Sequence, residues 1–525
     1  MTEETVLYRG LDQAGDYVEY VYVPGAAEKV EKEAQGPTLR RTVLPVPQQK
    51  PLTSTSSSRT IEFLQSRRVL IINSLTSGLN QSTRVYERVV QPVLAGLGVN
   101  HEYVPTRNAH TIADTAAALA AERDYLVIIF GGDTSLSEFV NALPPDSGNR
   151  SNNRSGSSSS SSSNRVRRGR IELVLVPTGT GNAISASSIG GGKNAIAKTL
   201  ATLFNSAVSE TTTPALQTSA VAEAGKPTAS QNEDVILATV TATPAEPTFV
   251  PLPTFRVDFP PGSYVAAAGT TNAADAAAVA AATSPHRLEL YSVVVVSWAL
   301  HAALVADSDL PEYRALGVAR FRKAAEINLA RAQRYAGKIA LLPLSSAKSG
   351  QCTSSGSIKL SGDASTHSYV LFTLVSQVEQ GYLISPSTHY GAADDDGSGT
   401  KRPSLHFLRI PFTLPNNANN AELARLVILP YQAGAHVTDP NVDYIAVNPS
   451  SLGGTGDSGD AGHDDDDDNN GDGVAGVITA ASGEGPQRWC VDGQIVVVPD
   501  AAGPVIVHGA RHGIATANWD LYILV

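Results

Sequence analysis

The stretch IIFGGDTSLSEF, residues 128–139, determines how the first half of the chain is interpreted. A β-branched apolar run ends in two glycines and an aspartate, and helix-forming residues follow at once. This order is typical of a strand that leads directly into a helix. In an open parallel sheet, ligands bind at the carboxyl ends of the strands. The stretch therefore predicts a ligand site at the turn formed by residues 131–133.

Strands and helices alternate on both sides of this turn. RVLIINS (residues 68–74) and NHEYVPT (residues 100–106) have the composition of buried strands, and STRVYERVVQPVLAGLG (residues 82–98) has that of a helix. IELVLVP (residues 171–177) resumes the pattern after a Ser-rich segment, residues 147–165, which we expect to be a disordered insertion. The alternation predicts βαβ units on a mostly parallel sheet.

The sequence predicts three regions in all. Residues 1–66 contain a Pro/Ser/Thr-rich stretch and are predicted to be a loosely attached, partly disordered extension and linker. Residues 67–205 are the predicted α/β domain. Residues 206–525 carry many short strands, which predict a larger antiparallel β-sandwich domain with a disordered acidic insertion around residues 453–475.

The composition of the chain limits its possible binding partners and its cellular compartment. The 39 basic and 50 acidic residues give a net charge of -11, which argues against a nucleic-acid partner. Cys352 and Cys490 are the only cysteines, so no disulfide framework is implied. The N-terminus lacks the pattern of a secretory signal, and the longest apolar segment, residues 291–306, is shorter than the ~20 residues that cross a bilayer. We expect a cytoplasmic protein with at most peripheral membrane contact.

Three predicted strand-to-helix junctions are rich in glycine and small residues. They are NSLTSG (residues 73–78), FGGDTSLSEF (residues 130–139) and PTGTGNA (residues 177–183). Such residues let backbone N–H groups approach an anion closely, and the start of the next helix adds a favourable partial charge. Each junction alone also fits an ordinary turn. Their recurrence at three strand ends on one edge of the sheet favours a nucleotide site.

Taken together with TRNAHTIA (residues 106–113), these junctions resemble the catalytic domain shared by diacylglycerol kinases, ceramide kinases and sphingosine kinases. The resemblance covers residues 68–205, and in that family an antiparallel β-sandwich that binds lipid follows the α/β domain. Residues 297–321 and WCVDGQIV (residues 489–496) resemble signatures of the sphingosine and ceramide kinases in particular.

The resemblance implies an ATP-dependent, Mg²⁺-requiring lipid kinase. Such an enzyme transfers the γ-phosphoryl group to the primary hydroxyl of a long-chain base such as sphingosine; ceramide and diacylglycerol are the alternative acceptors. The implied partners are the lipid substrate and a peripheral membrane surface, and the oligomeric state is left open. An NAD or sugar kinase would share the Gly-Gly-Asp loop but would not explain residues 297–321.

The resemblance also assigns roles to individual residues. Asp133 is the predicted general base, because a carboxylate beside the nucleotide loop can take the proton of the attacking hydroxyl; the alternative is an aspartate that only stabilises the turn. The implied nucleotide-binding residues are Asn73, Ser77, Gly78, Thr106, Gly131, Gly132, Thr134, Glu138, Gly179, Thr180, Gly181, Asn182, Arg314, Arg320 and Asp492.

The second half contributes charged residues. Arg314 and Arg320 would neutralise the transferred phosphoryl group. Their spacing puts them on different faces of one continuous helix, so we expect a break at Gly317 or an Arg314 that precedes the helix. Asp309, or alternatively Asp307, would bind the amine and hydroxyl of the substrate head group.

Asp492 would contribute to the Mg²⁺ and phosphate region. Two residues depart from the family pattern. Thr134 stands where the family has glycine, and a β-branched residue resists positive φ. Either the loop keeps an ordinary φ there and the hydroxyl replaces a backbone contact, or phosphate binding is weakened. Gln494 replaces a glutamate and removes a charge near the proposed metal region. A catalytically inactive nucleotide- or lipid-binding homologue therefore stays an alternative.

Overall fold

The computed structural model describes two large sheets, a small N-terminal sheet and the helices that pack on them. The described residues are 4–25, 36–45, 55–75, 77, 81–121, 123–144, 169–192, 194–204, 247–266, 286–314, 316–317, 319–331, 334–341, 360, 365–388, 404–412, 417–447, 474–483, 486–512, 514–516 and 519–525. The Ser-rich insertion, Gly78, Cys352 and nearly all of the predicted acidic insertion lie outside them.

Buried β-branched residues form a parallel sheet, as predicted. Its strand Tyr125–Gly131 is buried along its whole length, and successive side chains enter two different hydrophobic cores: Ile129 packs in one and Ile128 in the other. Both faces of the sheet are therefore covered, which is typical of parallel sheets. The parallel strands, from one edge to the other, are Trp519–Leu524, Gly169–Pro177, Tyr125–Gly131, Arg68–Asn73 and His101–Pro105.

Helices connect these strands and cover the two faces. Two of the helices contain a π-helical turn, at Tyr86–Val90 and at Ala186–Gly190. The helical segments of this domain are Thr55–Ser66, Ser82–Val85, Tyr86–Val90, Gln91–Gly96, Thr111–Ala117, Asp133–Ala142, Ala183–Ser185, Ala186–Gly190 and Ala195–Phe204.

The second sheet is antiparallel, as predicted, and contains twelve strands within the described residues. Phe259 and Trp489 lie on strands that are far apart in the sheet order, yet their ring centroids are 6.0 Å apart. The sheet therefore curls until its two halves pack face to face. Its strands in order are Tyr264–Val265, Gln494–Val498, Gln487–Val491, Val295–Ala299, Thr366–Thr373, Tyr335–Leu341, Val474–Ala480, Val505–His512, Pro253–Phe259 and Leu288–Ser292, with His406–Pro411 and then Asp443–Ala446 added beside Thr366–Thr373.

Shorter elements surround the second sheet. Gln377–Glu379 and Tyr382–Leu383 form a separate hairpin. The helices and single helical turns are Leu300–Ser308, Pro311–Arg314, Ala319–Ala330, Asn417–Leu426, Leu429–Tyr431 and Ala435–Thr438. None of the helices in the described residues is both long and apolar enough to cross a membrane.

The predicted boundaries of the second domain, residues 206–525, are wrong, because segments near both of its ends belong to the first sheet. The C-terminal strand Trp519–Leu524 pairs in parallel with Gly169–Pro177 and so belongs to the first sheet. Phe249–Pro251 and Ile514–Thr516 pair with it antiparallel. An apolar run reveals a strand but not the sheet that accepts it, so periodicity alone could not show this return of the chain.

The N-terminal extension is also more ordered than predicted. Thr5–Leu11, Tyr17–Val23 and Thr38–Val43 form a three-stranded antiparallel sheet. Buried side chains of this sheet, among them Leu7 and Tyr20, join one of the two cores of the α/β domain. The prediction of a loose attachment is therefore corrected for these strands.

Candidate active site

The second and third junctions pack directly against each other at the edge of the parallel sheet. The backbone N–H of Asp133 donates to the carbonyl of Gly181 at 3.0 Å, and the N–H of Gly179 donates to the carbonyl of Gly131 at 2.9 Å. A Cβ atom on Gly179 would lie 2.6 Å from backbone atoms of Gly132, and a Cβ on Gly132 would collide with the carbonyl of Gly181. These glycines are required because the two loops approach so closely. Their predicted contact with phosphate stays a prediction.

The Asp133 side chain lies at the centre of this contact. Its Oδ2 accepts the N–H of Ala183 at 2.7 Å, and its Oδ1 accepts the N–H of Ile184 at 3.1 Å. The carboxylate thus satisfies N–H groups at the start of the helix that follows the third junction. A carboxylate has about four acceptor positions, so each oxygen can accept one further proton or hydrogen bond.

Burial determines the charge state of Asp133, of which only 7% is exposed. Burial raises the pKa of this carboxyl to about 6, and the two backbone hydrogen bonds oppose the rise. The negative charge of nearby Asp492 raises the pKa of Asp133 further. Asp133 is therefore ionised at neutral pH but binds a proton far more readily than an exposed aspartate does.

The first junction is held by polar side chains that face the protein. The Nδ2 of Asn73 donates to Tyr103 Oη at 2.8 Å and to Thr83 Oγ1 at 3.1 Å. Thr106 Oγ1 accepts the N–H of Leu75 at 3.0 Å. The backbone N–H of Ser77 donates to the carbonyl of Ser74. Asn73 and Thr106 thus stabilise the loop, and their predicted contacts with a nucleotide stay predictions.

Several buried polar atoms around the junctions have no hydrogen-bond partner among the described residues. They are Asn73 Oδ1, Thr178 Oγ1, Asn182 Oδ1 and Ser185 Oγ. Such atoms are rare in native proteins and mark positions where a polar ligand or water completes the network. Thr178, within the PTGTGNA stretch, and Ser185, two residues after it, were not among the predicted site residues. Thr180 and Asn182 lie in the same loop, partly exposed, and Asn182 Nδ2 donates to the carbonyl of Gly179 at 2.8 Å.

Thr134 connects the two domains. It lies in the first turn of the helix Asp133–Ala142 and has no positive φ, so the first of the two predicted alternatives is correct for the backbone. Its hydroxyl donates to the backbone carbonyl of Asp492 at 3.0 Å. Farther along the same helix, the side chain of Asn141 both donates to and accepts from the backbone of Tyr291, at 2.8 and 2.7 Å. The helix that follows the Gly-Gly-Asp turn is therefore joined to the second sheet by hydrogen bonds at two positions.

The Asp492 carboxylate is already fully engaged. Its Oδ1 accepts the N–H groups of Val294 and Val295 at 2.9 and 2.8 Å and the hydroxyl of Ser292 at 2.7 Å, and its Oδ2 accepts the N–H of Val293 at 2.8 Å. Three successive N–H groups thus form an anion nest around it. Burial raises the pKa of Asp492 even though these hydrogen bonds oppose the rise.

This donor set does not fit the predicted role of Asp492 as a Mg²⁺ ligand, because Mg²⁺ needs free carboxylate oxygens. Within the described part of the chain, no group of three or more His, Cys, Asp or Glu residues could hold a metal ion. Gln494 begins the strand Gln494–Val498 just after the Asp492–Gly493 turn. The nest was invisible in the sequence because its N–H groups lie about two hundred residues before Asp492.

Glu138 faces a neighbouring helix instead of the junctions. Burial raises its pKa, and a hydrogen bond from the N–H of Ala113, in the first turn of Thr111–Ala117, opposes the rise. The contact satisfies the start of that helix. The structure gives Glu138 a role in helix packing, and its predicted contact with the nucleotide stays a prediction.

Arg314, Asp309 and Arg320 form a second cluster. Arg314 Nη2 lies 2.9 Å from Asp309 Oδ2, and Arg320 Nη1 lies 3.2 Å from Asp309 Oδ1. Gly317, with φ of 55°, separates Pro311–Arg314 from Ala319–Ala330, which confirms the predicted break. Two guanidinium groups share one carboxylate, so the cluster keeps one net positive charge. Among the described residues, no hydrogen bond or ion pair joins it to Asp133.

Asp307 belongs to different contacts. Its Oδ1 lies 2.6 Å from Arg488 Nη1, and its Oδ2 accepts Asn328 Nδ2 at 2.9 Å and lies 3.5 Å from Arg331 Nη1. Asp307 and Asp309 therefore face different partners, although they are two residues apart.

Part of the chain matches a known protein family. Residues 67–214 match the family described as the diacylglycerol kinase catalytic domain. The match supports kinase activity, with ATP as the nucleotide such domains use. It does not distinguish the sphingosine and ceramide kinases, to which the sequence was predicted to be closest. No curated protein matches the chain.

Three solved structures from Bacillus anthracis str. Sterne are similar to the chain. One is described as a diacylglycerol kinase, with 10% identity, a TM-score of 0.39 and coverage of 87% of this chain and 96% of that one. Two are described as putative diacylglycerol kinases, with 10% and 11% identity and TM-scores of 0.43 and 0.41. They cover 88% and 87% of this chain and 95% and 96% of their own.

Proposed function

We propose that the protein is an ATP-dependent lipid kinase that transfers the γ-phosphoryl group to the hydroxyl of a lipid alcohol. The observation that carries this proposal is the position of Asp133. Its buried carboxylate lies where two glycine-rich loops meet, in the domain that matches the diacylglycerol kinase catalytic domain.

Asp133 is the proposed general base. As the lipid hydroxyl attacks the γ-phosphorus, an ionised Asp133 takes the hydroxyl proton on a free acceptor position, a contribution typically worth about 10² to 10⁴ in rate. A pKa of about 6 suits this role, because the group is mostly ionised near neutral pH and still binds a proton well.

The nucleotide would lie along the same edge of the sheet. The unpaired atoms Thr178 Oγ1 and Asn182 Oδ1 can form hydrogen bonds to it, which is why we regard the site as fitting ATP. Mg²⁺ would come with the phosphates of ATP, as is usual for this ion, and no protein carboxylate is assigned to it. Arg314 and Arg320 are the proposed partners of the transferred phosphoryl group, for which a guanidinium fork is well suited.

The net charge of the cluster formed by Arg314, Asp309 and Arg320 affects which lipid alcohol can bind as the acceptor. Asp309 lies between two guanidinium groups, so a protonated amine would approach a net positive charge. This balance favours a neutral lipid alcohol, such as diacylglycerol or ceramide, over a long-chain base. A long-chain base is the second candidate, because Asp309 could turn from the arginines to its amine once a phosphate binds them. We further propose that lipid access needs only peripheral membrane contact, in the cytoplasm.

Transfer of labelled phosphate from ATP to diacylglycerol, ceramide and sphingosine in mixed micelles tests the proposal. We expect diacylglycerol or ceramide to be labelled fastest, and Asp309→Asn to change the rates for all three lipids by similar factors. Sphingosine as the preferred acceptor, together with a selective loss of its turnover in Asp309→Asn, would establish the second candidate. Absence of label in every lipid would favour the inactive homologue.

A further inference from the structure

A cavity of about 270 Å³ opens on the second sheet, away from the glycine-rich junctions. Three elements converge on it: the start of the helix Leu300–Ser308 and the starts of the strands Tyr335–Leu341 and Gln487–Val491. The residues that line it include Ala299, Ala303, Arg334, Tyr335, Gln487 and Arg488.

Positive charge dominates the mouth of this cavity. Arg334 is exposed and forms no ion pair with any other described residue. Arg488 lies on the wall and is paired with Asp307 at 2.6 Å, and Arg331 shares the same carboxylate at 3.5 Å. Two guanidinium groups therefore share one carboxylate, and Arg334 on the same wall adds a further positive charge, so the cluster retains a net positive charge.

Packed aromatic rings and a hydrogen bond lie behind the wall of the cavity. Trp298 and Trp489 stack with ring centroids 5.8 Å apart, and Trp298 Nε1 donates to Gln487 Oε1 at 3.2 Å. Burial raises the pKa of Tyr335 to about 12, so its hydroxyl stays a hydrogen-bond donor at neutral pH. Ala299 has φ of 68° and ψ of -137°, a sparsely populated conformation that is often kept at binding sites.

We propose that this cavity binds a phosphate group, with Arg334 and Arg488 as its principal ligands. Guanidinium groups offer paired donors that match phosphate oxygens, and they are weakly enough hydrated to release water on binding. The cavity is large enough for a phosphate or for the phosphate end of a lipid head group. The site shares none of its wall residues with the proposed kinase site, so the proposal does not depend on the kinase activity.

The two sources of phosphate can be separated by experiment. Inorganic phosphate is titrated into the full chain by calorimetry, with a non-hydrolysable ATP analogue present to fill the nucleotide loops. In parallel, binding to phosphatidylcholine vesicles with and without phosphatidic acid is measured by sedimentation. Arg334→Gln is compared with Arg322→Gln, a control arginine whose side chain is 87% exposed and loosely paired with Glu326.

We expect Arg334→Gln to weaken phosphate binding about tenfold or more, because it removes a charge-assisted hydrogen bond, and Arg322→Gln to leave it unchanged. Asp307→Asn should strengthen binding, since it releases the charge of Arg488. Binding of phosphatidic acid vesicles that depends on Arg334 would identify a lipid head group, and binding of phosphate alone would identify the free ion. The proposal is overturned if neither probe binds, or if the two arginine variants behave alike.

Discussion

Ala299 holds a backbone conformation that residues with a side chain rarely adopt. Its φ of 68° and ψ of -137° lie in a region used almost only by glycine. We expect Ala299→Gly to raise the free energy of unfolding by about 1 kcal/mol, because relief of strain outweighs the greater freedom of glycine in the unfolded chain. Chemical denaturation measures the change.

Ala303→Gly is the matched control for this substitution. Ala303 is a buried alanine in the helix Leu300–Ser308 with ordinary helical geometry. Glycine there should lower the free energy of unfolding by about 1 kcal/mol. Equal destabilisation by both variants would contradict the assignment of strain to Ala299.

The raised pKa of Asp133 predicts the pH dependence of catalysis. The base must be ionised, so kcat/KM should fall about tenfold per pH unit below about 6, where an exposed aspartate would maintain the rate to about pH 4. Asp492→Asn should move this fall in kcat/KM to lower pH, since Asp492 raises the pKa of Asp133. A rate that stays constant between pH 7 and pH 5 would refute the assignment of Asp133 as the base.

The raised pKa of Asp133 also predicts how stability depends on pH. Acidification should lower activity but should increase the free energy of unfolding. The folded-state pKa is raised above the unfolded value, so ionised Asp133 destabilises the fold above about pH 6. This cost disappears as pH falls through the range between the two pKa values. Its contribution to the free energy of unfolding therefore increases on mild acidification.

The sequence could identify Asp133 because the residue stands beside two glycines at a strand end. It could not show the partners of its carboxylate, which are fifty residues further along. It also could not show the environment of Asp492, because the donors that fill its carboxylate come from a bend in a distant part of the chain. Side chains whose environment is local in sequence were thus easier to interpret than those enclosed by tertiary contacts.

The helix Asp133–Ala142 connects the glycine-rich junctions to the second sheet. Thr134 and Asn141 are seven residues apart and so lie on the same face, and both bond to backbone of the antiparallel sheet. Ser137, between them on this face, also interacts with the Asp492 carboxylate. The element that begins with the proposed base therefore fixes the position of the second domain relative to it.

Thr134→Val tests this connection. The substitution preserves shape but removes the hydrogen bond to the Asp492 carbonyl, so we expect a loss of about 1 kcal/mol in the free energy of unfolding. Thr134→Ser keeps the hydroxyl and should cost less. An unchanged stability combined with a higher KM for ATP would show instead that the Thr134 hydroxyl contacts phosphate.

The strand Trp519–Leu524 links the two domains. Trp519–Leu524 follows all strands of the antiparallel sheet in the sequence, yet it pairs with Gly169–Pro177 in the parallel sheet. The first domain therefore contains residues from both halves of the chain. Trp519 is fully buried in the core that includes residues of both sheets. The two domains therefore share one core and are not independent units.

Trp519→Ala should destabilise the protein by about 3 to 5 kcal/mol, because it leaves a large cavity in this shared core. Calorimetry of the full chain should show both domains unfolding in one transition at a lower temperature. Trp519→Phe retains most of the volume and should cost less. Loss of the parallel domain alone, with the antiparallel domain unaffected, would contradict the shared core.

The class of each domain could be predicted from the sequence, because strand and helix periodicities are local. The parallel sheet followed from alternation, and the antiparallel sheet from successive short strands. Which sheet accepts a strand is a tertiary property, so the return of Trp519–Leu524 was missed. The N-terminal sheet was missed because its strands are stabilised by packing on the α/β domain, which the local pattern of the sequence does not show.

The most direct test of the proposed function is phosphoryl transfer by Asp133→Asn. The variant keeps the size of the side chain but cannot accept a proton from the lipid hydroxyl, whereas Asp114→Asn changes an exposed carboxylate in the first turn of the neighbouring helix. With labelled ATP and a lipid acceptor, we predict a fall of about 10² or more in kcat for Asp133→Asn, at a melting temperature that confirms folding, and no change for Asp114→Asn. A folded Asp133→Asn variant with wild-type kcat would contradict the assignment of Asp133 as the catalytic base.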